Sequence, residues 1–235
     1  MESNFLIYMT FLHDNSLVFI LFFTTFLSIV WLMLCRKKLS IKWYIAIPLG
    51  VVHTLCGVLC VKGFAFLESF GKNSDGMSLY GAIFILPLFY AIGAKLAKRH
   101  FADVFDTFAV CMVLTLAIVR FNCILSNCCY GIPFFNVDGV RWPTRELEIV
   151  FNLIFSALII PRIIKNKSNG EIFPLYMVSY GVFRFFNEFF RYSSTGYLVH
   201  IGHLWSVISF LVGLSIYYEM RSNKYKRVSK KNRMG

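Results

Sequence analysis

The chain has 235 residues, of which 57% are hydrophobic and only 15% charged, with 26 Phe, and its apolar residues fall in long uncharged runs instead of one soluble core. A net charge of +12 would suit a nucleic-acid partner, but most of the 24 Lys and Arg sit in short clusters directly after apolar runs, not over one soluble face. Composition therefore excludes a soluble nucleic-acid-binding domain and predicts an all-α polytopic membrane protein.

Residues 1–16 carry Glu2 and Asp14 and no basic residue ahead of the first apolar run, so no cleavable signal peptide is expected and the first span is retained. Seven transmembrane helices are expected. The first is Leu17 to Cys35, followed by Arg36-Lys37-Lys38. The second is Trp43 to Val61, containing Pro48 and His53, and the third is Gly76 to Ala94, ending at Lys95, Lys98 and Arg99. The fourth runs from Thr107 to about Asn127 with Arg120 inside it. The fifth, Ile149 to Pro161, is short for a span of roughly 20 residues and is expected to begin earlier, in the Arg145–Glu148 turn. The sixth runs from Ile172 to about Phe190 and the seventh from Ile201 to Tyr218.

The basic clusters Arg36–Lys42, Lys95–Arg99, Arg162–Lys167 and Arg221–Arg233 all fall on one side, which the positive-inside rule makes cytoplasmic. The N-terminus and the loops at 64–75, 128–147 and 191–200 then lie outside, and the C-terminus is cytoplasmic. No internal repeat is visible, so residues 1–220 read as a single membrane domain and 221–235 as a basic cytoplasmic tail beside anionic lipid.

Two stretches carry charge inside the membrane, where an ionised side chain costs roughly 2.5–3.5 kcal/mol at a helix centre and normally faces a protein interior or polar cavity. One is Arg120, just ahead of Asn122, Cys123, Asn127, Cys128, Cys129, Tyr130, Gly131 and Pro133. The other is the sixth span, where Tyr180, Arg184, Glu188 and Arg191 are spaced i, i+4, i+8 and i+11 on one helix face while phenylalanines fill the rest. Both lie in the outward halves of their spans, so the arginines are expected to share a cavity. Guanidinium groups stay charged and grip phosphate bidentately, and phosphates at that depth belong to lipids, which makes a phospholipid head group the expected ligand. Tyr80, Tyr130, Asn122, Asn127 and Glu148 are candidates to orient it or move protons. A carboxylate as deep as Glu148, at the end of Trp142-Pro143-Thr144-Arg145-Glu146-Leu147-Glu148, needs a partner, and an arginine across the bundle is available. The bland alternative is a structural Arg184–Glu188 pair with Arg191 snorkelling to the interface.

Cys35, Cys56, Cys60 and Cys111 fall within spans and read as small apolar residues. Cys123, Cys128 and Cys129 stay open between a structural or disulfide role, a nucleophilic thiol and a metal site. Their Cys-x4-Cys-Cys spacing is not a regular zinc pattern and no nearby His completes it, so the expectation is no metal and no cofactor. His53, His200 and His203 read as packing or interface residues.

Seven spans, Arg120 after the fourth apolar run, Pro143-Thr144 with Glu148 at the start of the fifth, and Tyr180-x-x-x-Arg184-x-x-x-Glu188-x-x-Arg191 in the sixth resemble the prolipoprotein diacylglyceryl transferases. Gly76-Met77-Ser78-Leu79-Tyr80-Gly81, Asp106 and Gly202-His203-Leu204-Trp205-Ser206 support the resemblance, which covers about residues 40 to 215. It implies an enzyme of the bacterial inner (cytoplasmic) membrane, its site toward the outer face. That enzyme moves the diacylglyceryl group of phosphatidylglycerol to the lipobox cysteine of a prolipoprotein. Arg120, Arg184, Glu188 and Tyr80 would be catalytic, with Arg120 and Arg184 on the phosphate. Tyr180, Arg191, Glu148, Asn122, Cys123, Gly131 and Tyr130 would bind substrate. The chain departs from the family where it has Tyr80-Gly81-Ala82 for His-Gly-Gly, and Cys123, Ser126 and Cys128 for two asparagines and a glutamate, as a divergent branch would. A related transferase acting on a cell-surface glycan or other acceptor, a lipid or organic-anion transporter, and a redox protein built on Cys128 and Cys129 are the alternatives.

Overall fold

The computed structural model describes residues 15–71, 77–135, 139–165, 170–192 and 199–233, and for 223–233 the backbone alone. Expectations for the N-terminal segment, the start of the third span at Gly76 and the loop stretches 72–76 and 193–198 lie outside the described residues. These residues form nine helices and no strand: α1 Ser16–Leu34, α2 Arg36–Leu39, α3 Trp43–Glu68, α4 Tyr80–Phe84, α5 Leu86–Leu96, α6 Phe101–Leu125, α7 Thr144–Ile164, α8 Ile172–Phe189 and α9 Ile201–Arg233.

Five of them, α1, α3, α6, α7 and α9 over Ile201–Ser222, are long and apolar enough to cross a membrane. The other two expected spans differ. The sixth is α8, only 18 residues long and carrying Arg184 and Glu188. The third is broken into α4 and α5 at Ile85, because Pro87 lacks an N–H and its ring would clash with the carbonyl four residues back.

Half of α6's membrane-length window is buried, against 28–39% in the other four, so α6 is the central post. Ala109, Val110, Met112, Val113 and Ala117 are buried along it, and α1, α7 and α8 pack around it. The outer faces of α1 (Phe19, Phe22, Phe23, Phe26) and α7 (Val150, Leu153, Ile154, Leu158) stay exposed, a surface that suits lipid tails. Polar bonds fix the register within this apolar body. Trp31 Nε1 donates to Thr107 O at 2.9 Å, Ser16 Oγ to Asn122 Oδ1 at 2.9 Å, and Thr25 Oγ1 to Thr54 Oγ1 at 3.0 Å. His53 packs between Tyr90 and Phe108, as a core histidine would.

Asp106 sets the start of α8. Its carboxylate accepts from Gly170 N at 2.7 Å and Ile172 N at 3.1 Å, which caps the helix from a neighbour and complements its positive end. From there α8 runs against α9, the most extensive helix pair among the described residues. At Gly181 a Cβ would press on the backbone of Ser206 and Phe210, so only glycine permits this approach. The far end of α8 is clamped by the loop after α6: Ile132 N donates to Phe190 O at 2.9 Å, Tyr192 N to Tyr130 O at 3.0 Å and Trp142 N to Ile132 O at 2.9 Å.

Candidate functional site

Three helices bring their polar residues to one point. Arg120 lies in the penultimate turn of α6, Glu148 in the second turn of α7, and Tyr180, Arg184 and Glu188 along one face of α8. Glu148 is the hub and is fully buried. Its Oε2 accepts from Arg120 Nη2 and Arg184 Nη1, each at 2.8 Å, and its Oε1 accepts from the Tyr180 hydroxyl at 2.7 Å. Arg184 Nη2 then pairs with Glu188 Oε2 at 2.7 Å, and Arg191 Nη1 reaches Glu188 Oε1 at 3.4 Å. A layer behind holds Glu148 in place: Asn152 Nδ2 donates to Glu148 O at 2.9 Å and the Tyr176 hydroxyl to Asn152 Oδ1 at 2.7 Å.

Three guanidiniums face two carboxylates in this network, and Glu68 and the Cys129 sulfur, 3.2 Å from Arg191 Nη2, stand in the same cavity wall. Arg120 Nε and Arg184 Nε are buried without a hydrogen-bond partner. A buried unpaired donor costs about 1–3 kcal/mol.

A cavity of about 530 Å³ is lined by Arg120, Arg184, Glu188, Arg191, Tyr80 and Tyr180, together with Asn122, Cys123, Cys128 and Cys129. An apolar cavity of about 250 Å³ shares Met77, Leu79 and Val119 with it and continues between α1 and α3. A polar cavity and an apolar one therefore adjoin along these three residues.

Of the residues singled out in the sequence, Arg120, Arg184, Glu188, Tyr80, Tyr180, Arg191, Asn122 and Cys123 line the cavity, whereas Glu148 sits behind the two arginines and acts through them. Tyr80 donates or accepts at Ser206 Oγ (2.6 Å) and lies 3.1 Å from Gly202 O, which seats α4 against α9. Gly131 and Tyr130 lie outside the cavity lining, in the clamp. Gly131 bridges Arg191, and a Cβ on it would drive into the backbone of Trp142 and Phe190. Tyr130 packs at a tilt against Tyr192, ring centres 5.4 Å apart, with the Arg141 guanidinium 4.3 Å from its ring centre. Sequence reasoning missed Glu68, a carboxylate at the end of an apolar run, which lines the cavity and accepts from Trp205 Nε1 at 2.9 Å. Thr144 and Arg145 read in the sequence only as part of the turn into α7, without their bonds to the carbonyls of Cys123, Cys128 and Cys129.

The helix α6 ends in a Schellman turn. Cys128 N donates to Cys123 O at 3.0 Å and Asn127 N to Ile124 O at 3.2 Å, with Asn127 in the left-handed region at φ 45°. Cys129 follows at φ 57°, also left-handed. Arg145 Nη1 donates to Cys123 O at 3.1 Å and to Cys128 O at 3.3 Å, and Thr144 Oγ1 to Cys129 O at 3.2 Å. All three thiols are free, as are the other four in the chain. Arg191 Nη2 lies 3.2 Å from Cys129 Sγ, and Arg120 Nη1 lies 3.7 Å from Cys123 Sγ. The hydrogen bond with Cys123 holds the Cys129 thiol far below its ordinary value, to about 4, and Arg191 and Arg120 reinforce it against burial.

Fold and site together define a multi-pass membrane protein with a buried arginine pair at the wall of a polar cavity that adjoins an apolar one. The chain belongs to the prolipoprotein diacylglyceryl transferase family, whose model matches residues 16–219. It is 29% identical over 182 residues to a phosphatidylglycerol–prolipoprotein diacylglyceryl transferase of Finegoldia magna, covering 73% of this chain and 71% of that one. Likeness extends to transferase 2 of Clostridium perfringens (26% over 140 residues, 54% of this chain and 55% of the relative). The Clostridium tetani transferase is 23% identical over 158 residues, 61% of this chain and 64% of the relative.

Proposed function

We propose that this chain is a membrane transferase that moves the diacylglyceryl group of phosphatidylglycerol to the cysteine thiol of a lipobox-bearing prolipoprotein. The observation that carries the reading is the convergence of Arg120 and Arg184 on Glu148 at the wall of the cavity, each with an uncommitted Nε. The paired guanidiniums of Arg120 and Arg184 suit the negative charge of a phosphodiester. They suit the leaving glycerol phosphate better still, because that group gains charge as the C–O bond breaks. Donors set in advance toward developing charge lower a barrier more than ones that must reorganise.

In this reading Glu148 and Glu188 aim the arginines, Tyr180 fixes Glu148, and the apolar cavity beside Val119 and Leu79 takes an acyl chain. The acceptor thiol gives its proton to cavity water, its sulfur attacks the glyceryl carbon, and the bond from that carbon to the bridging phosphate oxygen breaks with the electron pair leaving on that oxygen. The basic clusters support seven spans in the cytoplasmic membrane, with the N-terminus outside, the C-terminus inside and the cavity toward the outer face. Residues 1–220 form one domain and 221–235 a tail beside anionic lipid.

The test is a reaction of purified protein in liposomes with acyl-labelled phosphatidylglycerol and a lipobox peptide, alongside Arg120→Ala and Arg184→Ala. Label on the peptide that disappears in both variants is expected. Peptide labelling that survives both replacements would sink the assignment.

A further inference from the structure

Cys123, Cys128 and Cys129 form the one group of three or more metal-ligating side chains found among the described residues, with their Sγ atoms all within 4.8 Å of one another. We propose that these three thiolates hold a zinc-like divalent ion whose fourth position opens into the cavity and takes the thiol of the acceptor. The proposal rests on the reading of the chain as a thiol-alkylating transferase, and it departs from the sequence expectation of no metal.

The geometry fits the donor chemistry. Zinc binds thiolate at about 2.3 Å in a tetrahedron, which sets sulfurs about 3.8 Å apart, so the trio needs to close by about 1 Å at most. The spacing looked irregular because a Schellman turn, not a zinc-knuckle turn, brings the sulfurs together: it sets Cys128 back over Cys123, and the left-handed Cys129 returns its Sγ to both. The first turn of α7 locks that shape, since Arg145 and Thr144 bond the carbonyls of all three cysteines. Partners of this outer kind orient ligands and tune the ion. A divalent ion with three thiolates carries one negative charge, and a fourth thiolate adds another. The guanidiniums of Arg191 and Arg120, at 3.2 Å and 3.7 Å from two of the sulfurs, stand where that charge would collect.

All three cysteines line the cavity that holds Arg120 and Arg184, so an ion there has a fourth position on the substrate side. Three protein ligands with an open position are the pattern of a reactive site, whereas four protein ligands close a structural one. A free cysteine thiol, ordinarily near 8.5, is mostly protonated at neutral pH, and coordination strips that proton outright. The balance is simple. The acceptor S–H gives its proton to cavity water as the sulfur takes the fourth position. A sulfur lone pair then forms the C–S bond to the glyceryl carbon, the C–O bond to phosphate breaks, and glycerol phosphate leaves with that electron pair. Nothing is oxidised or reduced.

The experiment uses the full chain, purified under reducing, oxygen-free conditions in detergent, titrated with zinc and with cobalt(II), with calcium as control. The expected result is about one zinc or cobalt per chain and a thiolate-to-cobalt charge-transfer band. Zinc should also shield Cys123, Cys128 and Cys129, located by peptide mapping, from maleimide, a readout that needs no variant to fold. Cys123→Ser and Cys129→Ser should lose the band. A lipobox peptide should shift the band, and the same peptide with serine for cysteine should not. Chelation should lower peptide labelling at least ten-fold, with recovery on adding zinc. No metal bound by these thiols, a disulfide among them in protein taken directly from membranes, a band blind to the peptide thiol, or full activity after chelation would each overturn the proposal. A peptide-sensitive band without lipid transfer would instead support the metal site and remove the transferase reading.

Discussion

Replacing Glu148 with glutamine is the sharpest perturbation of the network. The side chain is fully buried, and its two oxygens accept from Arg120 and Arg184 at 2.8 Å each and from Tyr180 at 2.7 Å. An amide of the same size keeps one acceptor oxygen but turns the other site into a donor facing donors, and it removes the charge between two buried guanidiniums. Breaking one buried ion pair by removing a partner costs about 3–5 kcal/mol, and here one carboxylate serves two cations. At about 1.36 kcal/mol per tenfold, a loss of even 3 kcal/mol in the arginines' placement is worth more than 10²-fold in rate. Glu148→Gln should therefore unfold at clearly lower temperature in detergent and release glycerol phosphate at least 10²-fold more slowly. Inorganic phosphate should raise its unfolding midpoint more than it raises the parent's, because the freed arginines gain an anion. Parent-like melting and turnover in Glu148→Gln would refute the hub assignment.

Arg184→Lys should lose one of its two carboxylate contacts, since an ammonium cannot span Glu148 and Glu188 as the fork does, and turnover should fall roughly 10–100-fold with the charge unchanged. Tyr80→Phe removes a hydroxyl shared with Ser206 and Gly202. It should cost about 1 kcal/mol by thermal unfolding while leaving turnover within roughly ten-fold, and a larger loss would make Tyr80 a chemical participant. Asp106→Ala should cost about 1–3 kcal/mol and expose the start of α8 to proteolysis near Gly170, because two helix-start N–H groups lose their acceptor. Gly131→Ala should cost about 1–3 kcal/mol by overpacking against Trp142 and Phe190 and should loosen Arg191, measured as a lower unfolding temperature together with reduced turnover.

The parts of the site legible in the sequence are those set by helix periodicity and by the cost of burying charge. The i, i+4, i+8, i+11 spacing puts Tyr180, Arg184, Glu188 and Arg191 on one side of α8, and the expense of a lone carboxylate foretells the Arg120–Glu148 pair. What escaped depends on backbone conformations that periodicity does not encode. The cysteine trio is assembled by left-handed Asn127 and Cys129 and by carbonyl bonds from a helix that starts fifteen residues after Cys129. Gly131 and Tyr130 belong to a clamp formed once the loop lies against the end of α8. The close loop packing expected of Gly131 is there, while the partners that clamp uses come from α8 and the stretch of loop around Trp142, which sequence adjacency to Arg120 does not show. Glu68 reaches the site only because α3 continues past the apolar run to its own end at Glu68.

The most direct measurement of the central claim is the stoichiometry of the two products in one reaction. Purified protein, phosphatidylglycerol and a lipobox peptide are incubated together, and thioether-linked diacylglyceryl peptide and glycerol phosphate are both quantified by mass spectrometry. The arginine-site account predicts that they appear one to one and vanish together in Arg120→Ala and Arg184→Ala. Glycerol phosphate released without peptide product, or peptide modified at the parent rate in both variants, would contradict it.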